Sequence, residues 1–205
     1  MKAQKKGIYL HRKEGTRGSG GDRFLIVCEG TETEPRYFKS FPVPSKDVVI
    51  VGTGDNTLHV VEEALVLRAE AKRNDEPYDQ VWVVFDKDSF PAEHFNNAVY
   101  KAEAKGLSVA ESNEAFELWF ILHYNLYHTA ITRRQYNHNL SEILCEKYDK
   151  ACRNMYDRLK GKETTAIANA DTLMKRFPPG ITPSEKKPFT RVHLLVEQLI
   201  KFSRK

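Results

Sequence analysis

Four short apolar runs, separated by segments of helical periodicity, decide most of what this chain can fold into. Phe24-Leu25-Ile26-Val27-Cys28 is apolar throughout and rich in β-formers, as expected of a strand covered on both faces. Asp47 to Val51, Gln80 to Phe85 and Leu107 to Ala110 repeat the pattern. Thr31 to Phe41 predicts a short helix, with Thr31 and Glu34 spaced as a capping box and Pro35 in its first turn. Asn56 or Thr57 is placed to cap a second helix, in which Leu58, Val61, Ala64, Leu65 and Leu67 keep helical spacing to about Ala71. Pro91 to Lys105 predicts a third, stopped at Gly106, and Glu114 to Tyr124 a strongly apolar fourth. Strands alternating with helices predict an α/β fold: a mostly parallel, four-stranded, doubly wound sheet flanked by helices.

Beyond about residue 125 the strand signals stop. Residues 140–160, 163–177 and 189–202 read as helical, with loops at Pro178-Pro179-Gly180 and from Pro183 to Pro188. The expected division is a basic flexible arm over 1–22, an α/β core over 23–125, and a helical extension over 126–205 packed on that core. Gly15, Gly18, Gly20 and Gly21 break regular structure in the arm. Residues 1–23 carry seven Lys/Arg against Glu14 and Asp22, and residues 186–205 carry six against Glu197. Both ends are thus +5, and with +4 overall the middle is −6. Basic ends around an acidic centre suit a protein that grips a polyanion at its edges and holds cations in its middle; solubilising tails read the same way.

Several classes are excluded at this point. No window approaches the ~18 apolar residues of a membrane span, and no apolar stretch follows the basic N-terminus as a secretory signal requires. Three cysteines, none in a CxxC pair, do not make a disulfide scaffold; a reducing cytoplasm is the expected location. Cys145 and Cys152, two turns apart on the expected helix with His138 nearby, read as core cysteines ahead of a zinc site. Trp82 and Trp119 sit in apolar runs and read as core.

Parallel α/β sheets place their sites outside the carboxyl ends of the strands. Here those ends are Cys28-Glu29-Gly30, Gly52-Thr53-Gly54-Asp55, Phe85-Asp86-Lys87-Asp88 and Glu111-Ser112-Asn113-Glu114. Carboxylates gathered on one rim repel each other unless a cation neutralises them, and hard oxygen ligands suit Mg²⁺ or Mn²⁺. Asp86 and Asp88, two apart where a strand turns, can reach one metal. Glu117 is a further candidate ligand, because an unpaired carboxylate inside an apolar helix is costly; an ion pair with a structural Arg or Lys is the alternative. His123, six positions on, points to another side of the helix and reads as packed. Lys87, Lys160 and Lys162, with Arg12 and Lys13 in the arm, are candidate contacts to nucleic-acid phosphates. Charge balance between two aspartates is the alternative for Lys87, and a solvated helix end for Lys160 and Lys162.

These residues resemble the RloB-like proteins, which carry a Toprim-type, Rossmann-like catalytic module. The resemblance rests on Glu29-Gly30 after the first strand and Asp86-Lys87-Asp88 after the third. Ser112-Asn113 followed by Phe116-Glu117-Leu118-Trp119-Phe120-Ile121-Leu122-His123, and the later Phe189-Thr190-Arg191-Val192-His193-Leu194-Leu195, add to it. It covers about residues 22–200. Glu114 departs from it, standing where an apolar residue or Pro is expected. The resemblance implies metal-dependent phosphodiester chemistry, with Glu29 as general acid/base or bridging ligand and Asp86 and Asp88 holding Mg²⁺. It also implies a nuclease acting on RNA, such as tRNA, or on DNA, in anti-phage defence or restriction, with a defence-system protein as a further partner. Two other readings stand beside it. One is a non-catalytic nucleic-acid or partner-binding module with a degenerate site. The other is a phosphatase of the haloacid dehalogenase type, whose Asp-x-Asp normally ends the first strand rather than the third.

Overall fold

The computed structural model describes residues 22–44 and 47–204. Five strands form one sheet: β1 (Phe24–Cys28), β2 (Val48–Gly52), β3 (Gln80–Asp86), β4 (Ser108–Asn113) and β5 (Phe189–Thr190). Their order is β2-β1-β3-β4-β5. The pairings among β1 to β4 are parallel, and β5 joins β4 antiparallel. Eight α-helices are described: α1 (Thr33–Lys39), α2 (Thr57–Arg73), α3 (Ala92–Ala104), α4 (Glu117–Leu122), α5 (Arg133–Leu144), α6 (Met155–Leu159), α7 (Glu163–Met174) and α8 (Val192–Ser203). The protein is therefore an α/β fold with a mixed, mostly parallel sheet.

Alternation along the strands divides the core into two layers. Leu25, Val27, Val83 and Phe85 face Val60, Val61 and Ala64 of α2 and Phe95, Ala98 and Val99 of α3. Phe24, Ile26, Trp82 and Val84 face the other way, into a larger cluster built from α1, α4, α5, α7 and α8. Since both faces are covered, the strands have no polar side to show, which is why the runs read as continuously apolar.

Four sequence expectations are corrected. The sheet has five strands, because Phe189-Thr190 pairs with Ser112-Asn113; two residues leading straight into an apolar helix carry no period that marks a strand. β4 continues past Ala110 to Asn113, so Glu111 lies inside the sheet rather than on the rim. There it is 2% exposed and paired at 2.6 Å with Arg191. The helix expected over 140–160 is two helices. Cys145 ends α5 in the left-handed region (φ 54°), and Ser141 Oγ accepts the Tyr148 N–H at 2.9 Å, turning the chain so that Tyr148 packs by Phe120. Cys145 is consequently exposed and not a core residue. Finally, α1 starts at Thr33 and receives no side-chain cap; Glu34 is buried instead. No described helix is long and apolar enough to cross a membrane.

Gly52, at the end of β2, sets the position of the neighbouring β1 turn. A Cβ there would lie 2.6 Å from the Gly30 carbonyl oxygen and 2.9 Å from Thr31 Cα, both backbone atoms with no rotamer to yield. Only glycine lets the strand end approach the Glu29-Gly30 segment so closely. Gly52→Ala is expected to lower unfolding free energy by about 1–3 kcal/mol, read as a lower urea midpoint with an unchanged m-value.

Candidate functional site

With strand order 2-1-3-4, the chain leaves β1 toward one side of the sheet and continues from β3 on the other. The crevice beyond the carboxyl ends of β1 and β3 is the switch point where α/β sheets bind ligands. β1 delivers Glu29 to this crevice and β3 delivers Asp86. The Asp86 N–H donates to Glu29 Oε2 at 3.1 Å, tying the two strand ends together. Asp86 Oδ2 accepts the Phe116 N–H at 3.0 Å, immediately before α4.

Asp88 follows in the left-handed region with φ 40°, a costly backbone for a non-glycine residue. Four bonds hold it there. The Lys87 N–H donates to the Ser112 carbonyl at 2.9 Å, the Asp88 N–H to the Glu114 carbonyl at 3.0 Å, and Lys87 Nζ to the carbonyls of Asp88 (3.3 Å) and Phe90. Held this way, the Asp88 carboxylate turns back beside that of Asp86.

A cavity of about 430 Å³ opens over these groups. Glu29, Glu34, Asp86, Asp88 and Glu117 line it, with Arg133 and Lys150. Four of the candidate residues thus share one site: Glu29, Asp86, Asp88 and Glu117. Lys87 is not among its lining; its ammonium is engaged by backbone carbonyls as described. Lys160 is exposed after α6, outside the cavity. Lys162 Nζ lies 3.9 Å from the centroid of the Tyr124 ring. Arg12 and Lys13 fall outside the described residues. Of the remaining rim acids, Glu114 pairs with Lys187, and Asp55 with His59 at 2.5 Å. His123 is buried against Trp119, its Nδ1 bonded to the Trp119 carbonyl at 2.9 Å.

Four groups at or beside the cavity were not singled out in the sequence as site residues. Glu34 carries the spacing of a capping residue, yet it is 7% exposed and faces the acids. Arg133 opens α5, where Thr132 and Gln135 form a capping box. Its Nη1 donates to Asp88 Oδ2 at 2.8 Å and its Nη2 to Asp86 Oδ2 at 2.9 Å. Tyr148 donates to Glu117 Oε1 at 3.4 Å, and Lys150 Nζ lies 4.0 Å from the same oxygen. Only the Thr31 to Glu34 run, two acids just past a strand end, carried a local signal; Arg133, Tyr148 and Lys150 come from the helical extension over long sequence distances.

Electrostatics follow from this crowding. Burial pushes the Glu29 carboxyl up to about 7, opposed by its bond from the Asp86 N–H and assisted by the charge of Glu34. Burial also raises Asp86 well above the usual carboxylate range, with Glu34 adding to the rise and Arg133 opposing it. Glu34 is raised by burial and by Glu117. The donor set is all carboxylate oxygen, which suits a hard divalent ion such as Mg²⁺ or Mn²⁺, and the raised acids are what an added cation would relieve. Among the described residues no three His, Cys, Asp or Glu stand as a ready metal cluster, the Asp pair being engaged by Arg133.

The Glu29 shift has a definite stability consequence. Its folded-state pKa of about 7 lies above its ordinary value of 4.5, so the folded protein takes up the proton first. The stabilisation is complete below pH 4.5 and is lost as pH rises through 7. Glu29→Gln, which keeps an acceptor for the Asp86 N–H, is expected to exceed the metal-free wild type in stability by about 2 kcal/mol at pH 8. The gap closes as pH falls toward 4.5. Denaturant melts of the two proteins across this range, in chelator, measure it.

The comparisons with known proteins add one match. The family model described as RloB-like protein matches residues 24–199, a span that takes in both strand-end motifs, α4 and the extension through most of α8. No curated protein matches the chain. By that match, and with the sheet and cavity lying inside it, the chain belongs to the RloB-like family.

Proposed function

We propose that this RloB-like protein is a metal-dependent nuclease with a Toprim-type catalytic module, hydrolysing phosphodiester bonds in nucleic acid, either RNA such as tRNA or DNA. The observation that carries the reading is the sharing of one switch-point cavity by Glu29, Asp86, Asp88 and Glu117. The strained backbone at Asp88 supports it, since such conformations cluster at functional sites. Its setting in anti-phage defence or restriction rests on the family resemblance.

Asp86, Asp88 and Glu117 are the residues that would hold Mg²⁺ or Mn²⁺. A bound divalent ion supplies a Lewis acid for the phosphoryl oxygen and a more acidic water. Glu29 handles the proton: a carboxyl with a pKa near 7 is half ionised at neutral pH, the condition for efficient general base and acid work. Its Oε2 is fixed by the Asp86 N–H, so Oε1 is the atom that takes a proton from attacking water. Lys150, half exposed at the cavity wall, offers an ammonium to a substrate phosphate.

The engagement of both aspartates by Arg133 favours a second reading, a nucleic-acid-binding module with no metal requirement. One experiment separates them. Wild type, Glu29→Gln and Asp86→Asn are incubated with end-labelled tRNA, single-stranded DNA and plasmid, in Mg²⁺, Mn²⁺ or chelator. The nuclease reading expects metal-dependent cuts, weaker by about 10²–10⁴-fold in Glu29→Gln and absent in Asp86→Asn. Salt-sensitive binding with no cuts under any metal supports the binding module instead.

A further inference from the structure

We propose that Arg133 is an internal counter-ion: it occupies the metal-facing oxygens of Asp86 and Asp88 and must be displaced before a divalent cation can bind there. The inference rests on the metal-dependent reading above and adds a competition within the chain itself.

The geometry sets the two occupants in competition for the Oδ2 atoms of both aspartates. Asp86 Oδ2 already accepts from the Phe116 N–H at 3.0 Å and from Arg133 Nη2 at 2.9 Å. An oxygen with two donors has no lone pair left for a cation. Asp88 Oδ2 is held by Nη1 at 2.8 Å. A divalent ion shared by these oxygens would sit where the guanidinium now lies, and two cations at contact distance repel strongly in a half-buried site. The guanidinium is a planar fork suited to two carboxylates at once, so it supplies one positive charge to both aspartates where a divalent ion would supply two.

Arg133 is nevertheless built to leave. Its backbone is anchored by the Thr132–Gln135 capping box at the start of α5, while its side chain remains 28% exposed and lines a cavity of about 430 Å³. Its Nε is buried without an acceptor in the protein, an unmet donor that the present position does not satisfy. Arg191, elsewhere in the fold, is the contrast. Its Nε is bonded to the buried Glu111 at 2.6 Å and its Nη1 to Glu103 at 2.8 Å, and it lines no part of the cavity. Once displaced, the Arg133 guanidinium stays tethered at the cavity wall, where a phosphate oxygen could satisfy its donors.

Manganese binding to the full chain tests the competition directly, without any need for turnover. The electron paramagnetic resonance signal of free Mn²⁺ is followed during titration of wild type, Arg133→Met, Arg133→Lys and Asp86→Asn. Removing two charge-assisted hydrogen bonds to the ligands is expected to tighten Mn²⁺ binding by about tenfold or more in Arg133→Met. Arg133→Lys, which keeps the charge but not the fork, falls between. Asp86→Asn loses the site. Should Arg133→Met fail to fold, Arg133→Lys decides by the same comparison with wild type. Asp86-dependent Mn²⁺ binding that is equal or weaker in the Arg133 variants overturns the counter-ion and leaves the metal reading standing. Mn²⁺ binding no better in any protein than in Asp86→Asn overturns both.

Discussion

The buried carboxylate of Asp86 is the constraint around which the rest of the site is arranged. Its strand places it 6% exposed at the edge of the apolar core, where an ionised carboxyl is expensive unless hydrogen-bonded and paired. The protein meets this with the Phe116 N–H on one side and the Arg133 guanidinium on the other. Both partners dictate structure in turn. The first requires the start of α4 to lie across the carboxyl end of β3. The second requires α5 to run back over the sheet. Glu29 and Glu34 then fall within the same low-dielectric pocket, and their pKa values are raised first by that burial and further by neighbouring carboxylate charge.

The same constraint explains what was legible in the sequence and what was not. β1 and β3 are each read from five consecutive apolar residues, and the acid directly after each run falls at the strand end. Glu29, Asp86 and Asp88 were therefore accessible to local reasoning. Glu117 was accessible too, because an acid inside an apolar helix needs a partner. The partner was not accessible: Tyr148 approaches Glu117 across 31 positions and Arg133 approaches Asp86 across 47. No window of sequence reports such pairings. Glu34 was misread for the opposite reason, since its local spacing matched a capping box that tertiary burial overrides. β5 escaped because two residues set no period, and Glu111 because the sheet carries β4 three residues further than its apolar run does.

Core and extension both contribute to the charge of one cavity. The α/β core supplies the acids Glu29, Glu32, Glu34, Asp86, Asp88 and Glu117, while α5 and the segment after it supply Arg133, Lys150 and one further acid, Asp149. Seven acids against two bases leave a net negative cavity when all are ionised. That excess makes the pocket a place where positive charge is bound rather than repelled. A phosphodiester is itself an anion and gains nothing from such a pocket alone. In the proposed nuclease its entry would need cations there first, either the divalent ion or the guanidinium that the ion sets free. The helical extension is on this argument part of the site: the core gathers most of the negative charge, and both bases that answer it, Arg133 and Lys150, come from the extension.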